Sequence, residues 1–295
     1  MTAQNVIEMR KVTKIFGEFV ANDQIDLQVR KGEIHALLGE NGAGKSTLMN
    51  MLSGLLEPTS GEILVNGELE KIDSPSKASE LGIGMVHQHF MLVDAFTVTE
   101  NIILGNETVH GGKLDIKKAE KEILELSQKY GLEVKPDALV RDINVGQQQR
   151  VEILKTLYRG ADILIFDEPT AVLTPAEIVE LLEIMRNPVK EGKSIILITH
   201  KLDEIRAVAE RVTVIRRGKS IQTVNVAGRS SKELAEMMVG HSVSFVTEKK
   251  AANPGKVVLD IKDLVVNESR GAQAVKSLSL QVHAGEIVGI AGVDG

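Results

Sequence analysis

Residues 39–46 run Gly39-Glu40-Asn41-Gly42-Ala43-Gly44-Lys45-Ser46. A glycine, four free positions and then Gly-Lys-Ser is the spacing of a loop that wraps phosphate groups. Phosphate is densely negative, so such a loop offers backbone N–H groups with no side chain in the way. Gly39, Gly42 and Gly44 permit that geometry. Lys45 adds a mobile positive charge for the outer phosphates, and the Ser46 hydroxyl can ligate Mg²⁺. Thr47 opens a helix whose positive end would face the anion. A chance glycine-rich turn would not need a strand before it and a helix after it. Here Ile34–Leu38 has the run of a strand, and residues 47–52 have the pattern of a helix.

A second pair of reactive groups follows the apolar run Ile163-Leu-Ile-Phe166. Asp167 and Glu168 come at the end of what reads as a strand buried on both faces. Ligands of α/β sheets bind at that end. Asp167 would hold Mg²⁺ through water, and Glu168 would accept a proton from an attacking water. An acid-capped strand end is a fair alternative for this pair alone. Beside the glycine loop, the pair points to ATP.

The elements that must carry these groups alternate apolar runs with helical periodicity, the pattern of an α/β domain. Val6–Met9 and residues 24–29 read as strands with Phe16-Gly17 in the loop between, and Glu62–Val65 as a strand before an Asn66-Gly67 turn. Residues 115–130 space Ile116, Ala119, Ile123, Leu126 and Tyr130 on one helical face with Asp115 as N-cap. Residues 146–158 repeat the pattern and stop at Gly160. Thr174-Pro-Ala-Glu177 is a capping box with proline at the first helical position, and Pro188 is expected to end that helix. Residues 194–199 read as a buried strand, and 211–216 with 219–224 as a hairpin turning at Arg217-Gly218.

The whole-chain properties exclude several classes. With 295 residues and 43% hydrophobic content there is room for a core without staples. Cysteine is absent, so no disulfide or thiolate metal site exists. The N-terminus lacks a secretory pattern, and no run approaches the ~20 apolar residues of a membrane span. A net charge of −6 argues against a nucleic-acid partner.

The chain also repeats itself. Gly32-Glu-Ile-His-Ala-Leu-Leu-Gly-Glu-Asn-Gly42 returns as Gly285-Glu-Ile-Val-Gly-Ile-Ala-Gly-Val-Asp-Gly295, and Ile7-Glu-Met-Arg-Lys-Val returns loosely as Leu259-Asp-Ile-Lys-Asp-Leu. This predicts a first domain over 1–245, a polar linker over 246–256, and the incomplete start of a second domain over 257–295. The chain is expected to be truncated inside the second glycine loop, which begins at Gly292.

With these motifs assembled, the whole chain resembles the ATP-binding-cassette (ABC) ATPases. The resemblance implies a P-loop NTPase fold with a mixed central sheet, an N-terminal antiparallel β subdomain and an inserted α-helical subdomain over about 93–160. It implies that Phe16 stacks on adenine, that Gln88 touches Mg²⁺ and the water, and that His200 contacts the γ-phosphate. The family's Leu-Ser-Gly-Gly-Gln signature aligns with Ile143-Asn144-Val145-Gly146-Gln147. Asn144 stands for the serine that meets a phosphate on the partner domain, and Thr174 stands where the family often has aspartate. The implied mechanism is a clamp, with ATP between one cassette's P-loop and the other's signature.

The motifs Glu168-Pro-Thr-Ala-Val-Leu-Thr-Pro175 and Val145-Gly-Gln-Gln-Gln-Arg150 are similar to tandem-cassette subunits of bacterial importers for nucleosides or simple sugars. Implied partners are two integral membrane permeases, an extracytoplasmic substrate-binding protein reached through them, and a second cassette or second copy. The implied location is the cytoplasmic face of the membrane. Residues 88–101, with Phe90, Phe96 and Thr97-Val-Thr-Glu100, are where the family docks a permease helix. A soluble ABC ATPase of DNA repair would need a long coiled coil, and the roughly 100 residues between loop and signature leave little room for one. A translation member would want basic, RNA-facing insertions. An ATP-sensing fragment with little hydrolysis stays open.

Overall fold

The computed structural model describes residues 4–88, 90–110, 113–242, 253–267 and 273–291. Two units, Met1–Val243 and Ser244–Gly295, are described in turn.

The first unit opens with a long hairpin, β1 (Asn5–Phe16) and β2 (Phe19–Arg30). Both strands outrun the expected segments, and Phe16 is the last residue of β1, paired with Phe19, rather than part of the loop. Lys11 and Gln24 take positive φ of 48° and 49° and break the two-residue alternation. Such bulges bend a strand without ending it. The bulges are held by Lys11 N donating to Asp26 Oδ1 at 3.0 Å and Gln24 N to Thr13 Oγ1 at 3.0 Å.

Next come β3 (Ile34–Leu38), α1 (Lys45–Leu52), β4 (Ser60–Val65), β5 (Glu68–Leu69), α2 (Pro75–Glu80) and β6 (Ile83–Val86). A mainly helical stretch follows: α3 (Val98–Ile103), the short pair β7 (Val109–His110) and β8 (Lys113–Leu114), α4 (Ile116–Tyr130) and α5 (Val145–Tyr158). The chain then returns through β9 (Ile163–Asp167), α6 (Pro175–Lys190), β10 (Ser194–Thr199), α7 (Leu202–Val208), β11 (Arg211–Arg216), β12 (Lys219–Asn225) and α8 (Ser231–Val239). Asp115 caps α4 as expected, and Thr174 with Glu177 forms the capping box of α6. Pro188 does not end α6: the helix continues to Lys190 with the proline inside its last turn. Proline removes only its own N–H bond and crowds the preceding turn, so a helix can finish the turn it has begun.

Two sheets form. One is antiparallel, in the order β2-β1-β4-β5; the other has the order β12-β11-β3-β10-β9-β6, parallel except for the β11–β12 hairpin. The continuous apolar runs are explained by burial on both faces. Ile163, Ile165, Ile196 and Ile198 face a core shared with β1, β2 and α1. Their neighbours Leu164, Phe166, Ile195 and Leu197 face a second core shared with α3, α4, α5 and α6. Ala36, Leu38, Val212 and Val214 join a third with α7 and α8.

A buried polar knot sits at the foot of β3. Arg211 Nε and Nη2 donate to the Glu33 carboxylate at 3.0 Å each, and Arg211 Nη2 also reaches Gln28 O. His35, fully buried, meets Thr213 Oγ1 through Nε2 at 2.8 Å. Burial pushes the Glu33 carboxyl up, but bonds from His35, the Arg30 N–H and Arg211 outweigh it and hold it low. Burial pushes the His35 imidazole down.

The second unit contains β13 (Val257–Asn267) paired antiparallel with β14 (Gln273–His283). Asp263 and Ser277 have φ of 49° and 55°, the counterparts of Lys11 and Gln24, and Gly285 at 79° matches Gly32 at 71°. Asp263 N donates to Ser279 Oγ at 2.9 Å, as Lys11 N does to Asp26. The sequence repeat is therefore also a repeat of bulge geometry. Residues 286–291 form no strand, although their counterpart in the first unit is β3. There β3 pairs with β11 and β10, and among the described residues of the second unit no strand pairs with 287–290. Most of the expected linker and the loop from Gly292 fall outside the described residues.

Arg211→Met should cost about 3 kcal/mol or more in urea unfolding, because it strands the Glu33 charge in the interior. A loss below about 1 kcal/mol would contradict the knot. With its pKa depressed, His35 binds a proton more readily in the unfolded chain, so stability should fall as pH drops below imidazole's ordinary value of about 6.5. His35→Asn should flatten that slope, and an unchanged slope would put the acid sensitivity elsewhere.

Candidate functional site

The site begins with register. In the parallel sheet Leu38 lies beside Thr199, and Ile198 beside Asp167. The glycine loop after β3, Asp167-Glu168 after β9 and His200 after β10 therefore leave one sheet edge together.

The loop is shaped by what its glycines lack. A Cβ on Gly39 would collide with the Ile215 carbonyl. Gly42 and Gly44 have φ of 78° and 100°, and a Cβ on Gly44 would lie 2.6 Å from both Ala21 O and Asn22 Nδ2. Lys45 is buried, and its ammonium donates to Gly39 O at 2.8 Å and Glu40 O at 3.0 Å. Burial pushes its pKa down, and the nearby Glu168 and Asp167 charges oppose the shift.

Ser46 Oγ donates to Asp167 Oδ1 at 3.4 Å. Burial raises the Asp167 pKa; the Ser46 hydroxyl acts against it and the Glu168 charge with it. Glu168 is held at φ 45°, an uncommon conformation for a residue with a side chain. Its N–H donates to Ile198 O at 3.0 Å, and its carboxylate lies 3.1 Å from His200 Nδ1. Behind this pair, buried Glu204 accepts from Thr170 Oγ1 at 2.6 Å and Thr199 Oγ1 at 3.0 Å, with Lys201 at 3.3 Å. Those bonds tie the ends of β9 and β10 to α7.

A cavity of about 450 Å³ opens over the loop, lined by Phe19, Ala21, Asn41, Gly42, Gly44, Lys45, Ser46, Thr47, Gln88 and Glu168. Asn41, Gly42, Gly44, Lys45, Ser46, Thr47, Gln88 and Glu168, all singled out in the sequence, thus line one cavity. Phe16 is exposed at the hairpin tip with Lys14 Nζ 5.2 Å from its ring centre, and it is Phe19 that lines the cavity. Asn144 to Gln147 do not line it. Asn144 is the N-cap of α5, with Asn144 Oδ1 accepting from Gln147 N at 2.8 Å and Gln147 Oε1 accepting from Asn144 N at 3.1 Å. Gly146 lies against Glu177, whose carboxylate a Cβ would meet at 2.6 Å.

The segment after Gln88 is fastened to α5: Met91 N donates to Glu152 at 2.8 Å, and Lys155 Nζ to Met91 O at 2.8 Å. Met91, Val93 and Phe96 are exposed, Phe90 is half-buried, and Val98 and Thr99 already belong to the buried side of α3. Beside Met91 a cavity of about 200 Å³ is lined by Leu55, Ser79, Lys155 and Arg159 among others.

Sequence reasoning missed Phe19, Asn22, Gly218 and Glu204. A second aromatic three residues after Phe16 was the available signal for Phe19. The other three act through contacts between distant segments, which no local pattern announces.

Comparison with known proteins agrees with this fold. Residues 22–171 match the ABC transporter family. The nucleoside import ATP-binding protein NupA of Lactococcus lactis is 74% identical over all of this chain and 58% of its own length. The guanosine import ATP-binding protein NupO of Bacillus subtilis is 65% identical over 98% of this chain and 57% of its length. The chain thus spans little more than half of these relatives. Among solved structures, cbiO1 of Clostridium perfringens, part of the ABC transporter complex cbiONQ, has a TM-score of 0.67 at 29% identity, covering 80% of this chain and 93% of that one. The dimeric cassette MJ0796 bound to ADP and Pi has a TM-score of 0.64 at 25% identity, covering 76% and 100%.

Gly44→Ala adds a Cβ where both the φ and the space forbid it. It should lower unfolding free energy by about 1 kcal/mol or more in urea denaturation. An unchanged midpoint would mean that the loop is not held against β2 as described.

Proposed function

The chain belongs to the ABC transporter ATPases, and from that premise we propose that it binds ATP with Mg²⁺ and hydrolyses it to energise import across a membrane. The observation that carries this reading is the meeting of Lys45, Ser46, Gln88 and Glu168 around one cavity, with Asp167 bonded to Ser46 and Glu168 to His200.

The donor set fits a hard cation: a hydroxyl and a carboxylate sit 3.4 Å apart, with the Gln88 amide on the same cavity. Among the described residues no group of three or more His, Cys, Asp or Glu side chains is placed to hold a metal ion. Ser46, Asp167 and Gln88 would hold Mg²⁺, which when bound neutralises charge on the phosphate oxygens. Lys45 exchanges the carbonyls of Gly39 and Glu40 for phosphate oxygens. The N–H groups of Glu40, Asn41, Gly42, Gly44, Lys45, Ser46 and Thr47 surround the anion, while the Ala43 N–H donates to Glu40 O at 3.1 Å and shapes the loop. Glu168 takes a proton from the attacking water onto its carboxylate, and His200 keeps that carboxylate in place while reaching toward the outer phosphate. Phe16 and Phe19 offer stacking surfaces for the base.

Because the signature residues lie outside this cavity, Asn144 to Gln147 act on nucleotide held by another cassette, in a second domain or a second copy. Asn144 can donate a hydrogen bond there, although it is larger than serine. The groove beside Met91, together with Val93 and Phe96, receives a helix of a permease at the cytoplasmic face. Among the described residues no helix is long and apolar enough to cross a membrane. The names of the relatives, nucleoside and guanosine import, favour nucleosides over simple sugars as cargo. A substrate-binding protein outside the membrane would select that cargo.

Lys45→Ala should abolish Mg·ATP binding in calorimetric titration, and full affinity in that variant would remove the assignment. Glu168→Gln should bind ATP but stall; a normal turnover rate would move the base elsewhere. Specific ATPase activity should rise with chain concentration, since a complete site needs a second cassette. A fast rate independent of concentration would contradict the composite site.

A further inference from the structure

Asn22 on β2 is wholly buried and satisfied on one side only. Its Nδ2 donates to Gly44 O at 3.1 Å, while Oδ1 has no hydrogen-bond partner. A buried amide left half-bonded costs stability, and leucine has nearly the same shape without that cost. Gly44 O also accepts from Leu48 N at 3.0 Å, so one carbonyl joins β2 to the first turn of α1. The next residue closes a second arm: Asp23 N donates to Gly218 O at 2.7 Å, and Gly218 N donates to Ala43 O at 3.0 Å. Two successive loop carbonyls are thus each gripped from outside the strand–loop–helix unit.

Peptide groups are planar and trans, so a fixed C=O direction fixes the N–H of the next residue in the opposite direction. Gripping Ala43 O aims the Gly44 N–H, and gripping Gly44 O aims the Lys45 N–H. We propose that Asn22 is a positioning residue of the phosphate loop: by holding the Gly44 carbonyl toward β2 it turns the Lys45 N–H into the cavity, at the expense of fold stability. This rests on the reading of the loop as a nucleotide site.

The test is Asn22→Leu in the full chain. Melting temperature should stay equal or rise, while the Kd for Mg·ATP rises roughly threefold to tenfold, the worth of one hydrogen bond. The lost contact serves ground and transition states alike, so KM should rise with kcat nearly unchanged. Asn22→Asp keeps the size but sets a carboxylate against Gly44 O, and should bind more weakly still. An affinity in Asn22→Leu equal to that of the unaltered chain overturns the inference. If Asn22→Leu melts lower, hydrogen exchange decides. Acceleration confined to residues 39–48 supports the role, and acceleration throughout the unit overturns it. Lys45→Ala runs alongside. If it loses ATP while Asn22→Leu does not, this inference alone fails; if it keeps ATP, the nucleotide reading fails.

Discussion

β3, β10 and β9 run parallel and in register through the interior, and their shared C-terminal edge is where the glycine loop, Asp167, Glu168 and His200 stand. A slip of one residue would turn each strand's side chains to the other face. Ile163 and Ile165 would then leave the core under β1 and β2 for the one under the helices. The cost of that exchange holds the register, and the register sets the separation of Ser46 from Asp167. A parallel sheet also needs cover on both faces. The antiparallel sheet supplies one cover and the helices the other, so the flanking layers serve the same edge.

Several groups at that edge are individually unfavourable. Lys45 and Asp167 are charged and nearly excluded from solvent, Glu168 sits at positive φ, and Asn22 leaves an acceptor bare. Strained or poorly solvated groups persist where the surroundings over-determine them. Those surroundings are visible: Glu204 binding the ends of β9 and β10, the Glu33–Arg211 pair at the foot of β3, and the β11–β12 turn reaching Ala43. They lie at the opposite end of the strand or behind the site, so they add rigidity without obstructing the cavity.

Much of this was legible in the chain itself. The loop motif, the acidic pair, the caps at Asp115 and Thr174 and the hairpin at Arg217-Gly218 are local patterns with local causes. The misreadings share a different origin. β1 and β2 read as short because Lys11 and Gln24 interrupt the alternation, and the bonds that keep the strands going come from the facing strand. Pro188 marked a helix end one turn-fraction early. Phe19 lines the cavity while Phe16 stands exposed at the hairpin tip, a difference set by hairpin register that no local pattern announces. Asn22 and Gly218 brace the loop across long stretches of sequence, and only the folded chain brings them together.

The account stands on the claim that residues 39–47 hold the phosphates of ATP beside Asp167 and Glu168. Hydrogen exchange of the chain with and without Mg²⁺ and a non-hydrolysable ATP analogue tests it most directly. Slowed exchange should appear over residues 39–48 and at the end of β9 at any chain concentration, and at the start of α5 only where chains pair. No slowing over 39–48 at saturating analogue would contradict the account.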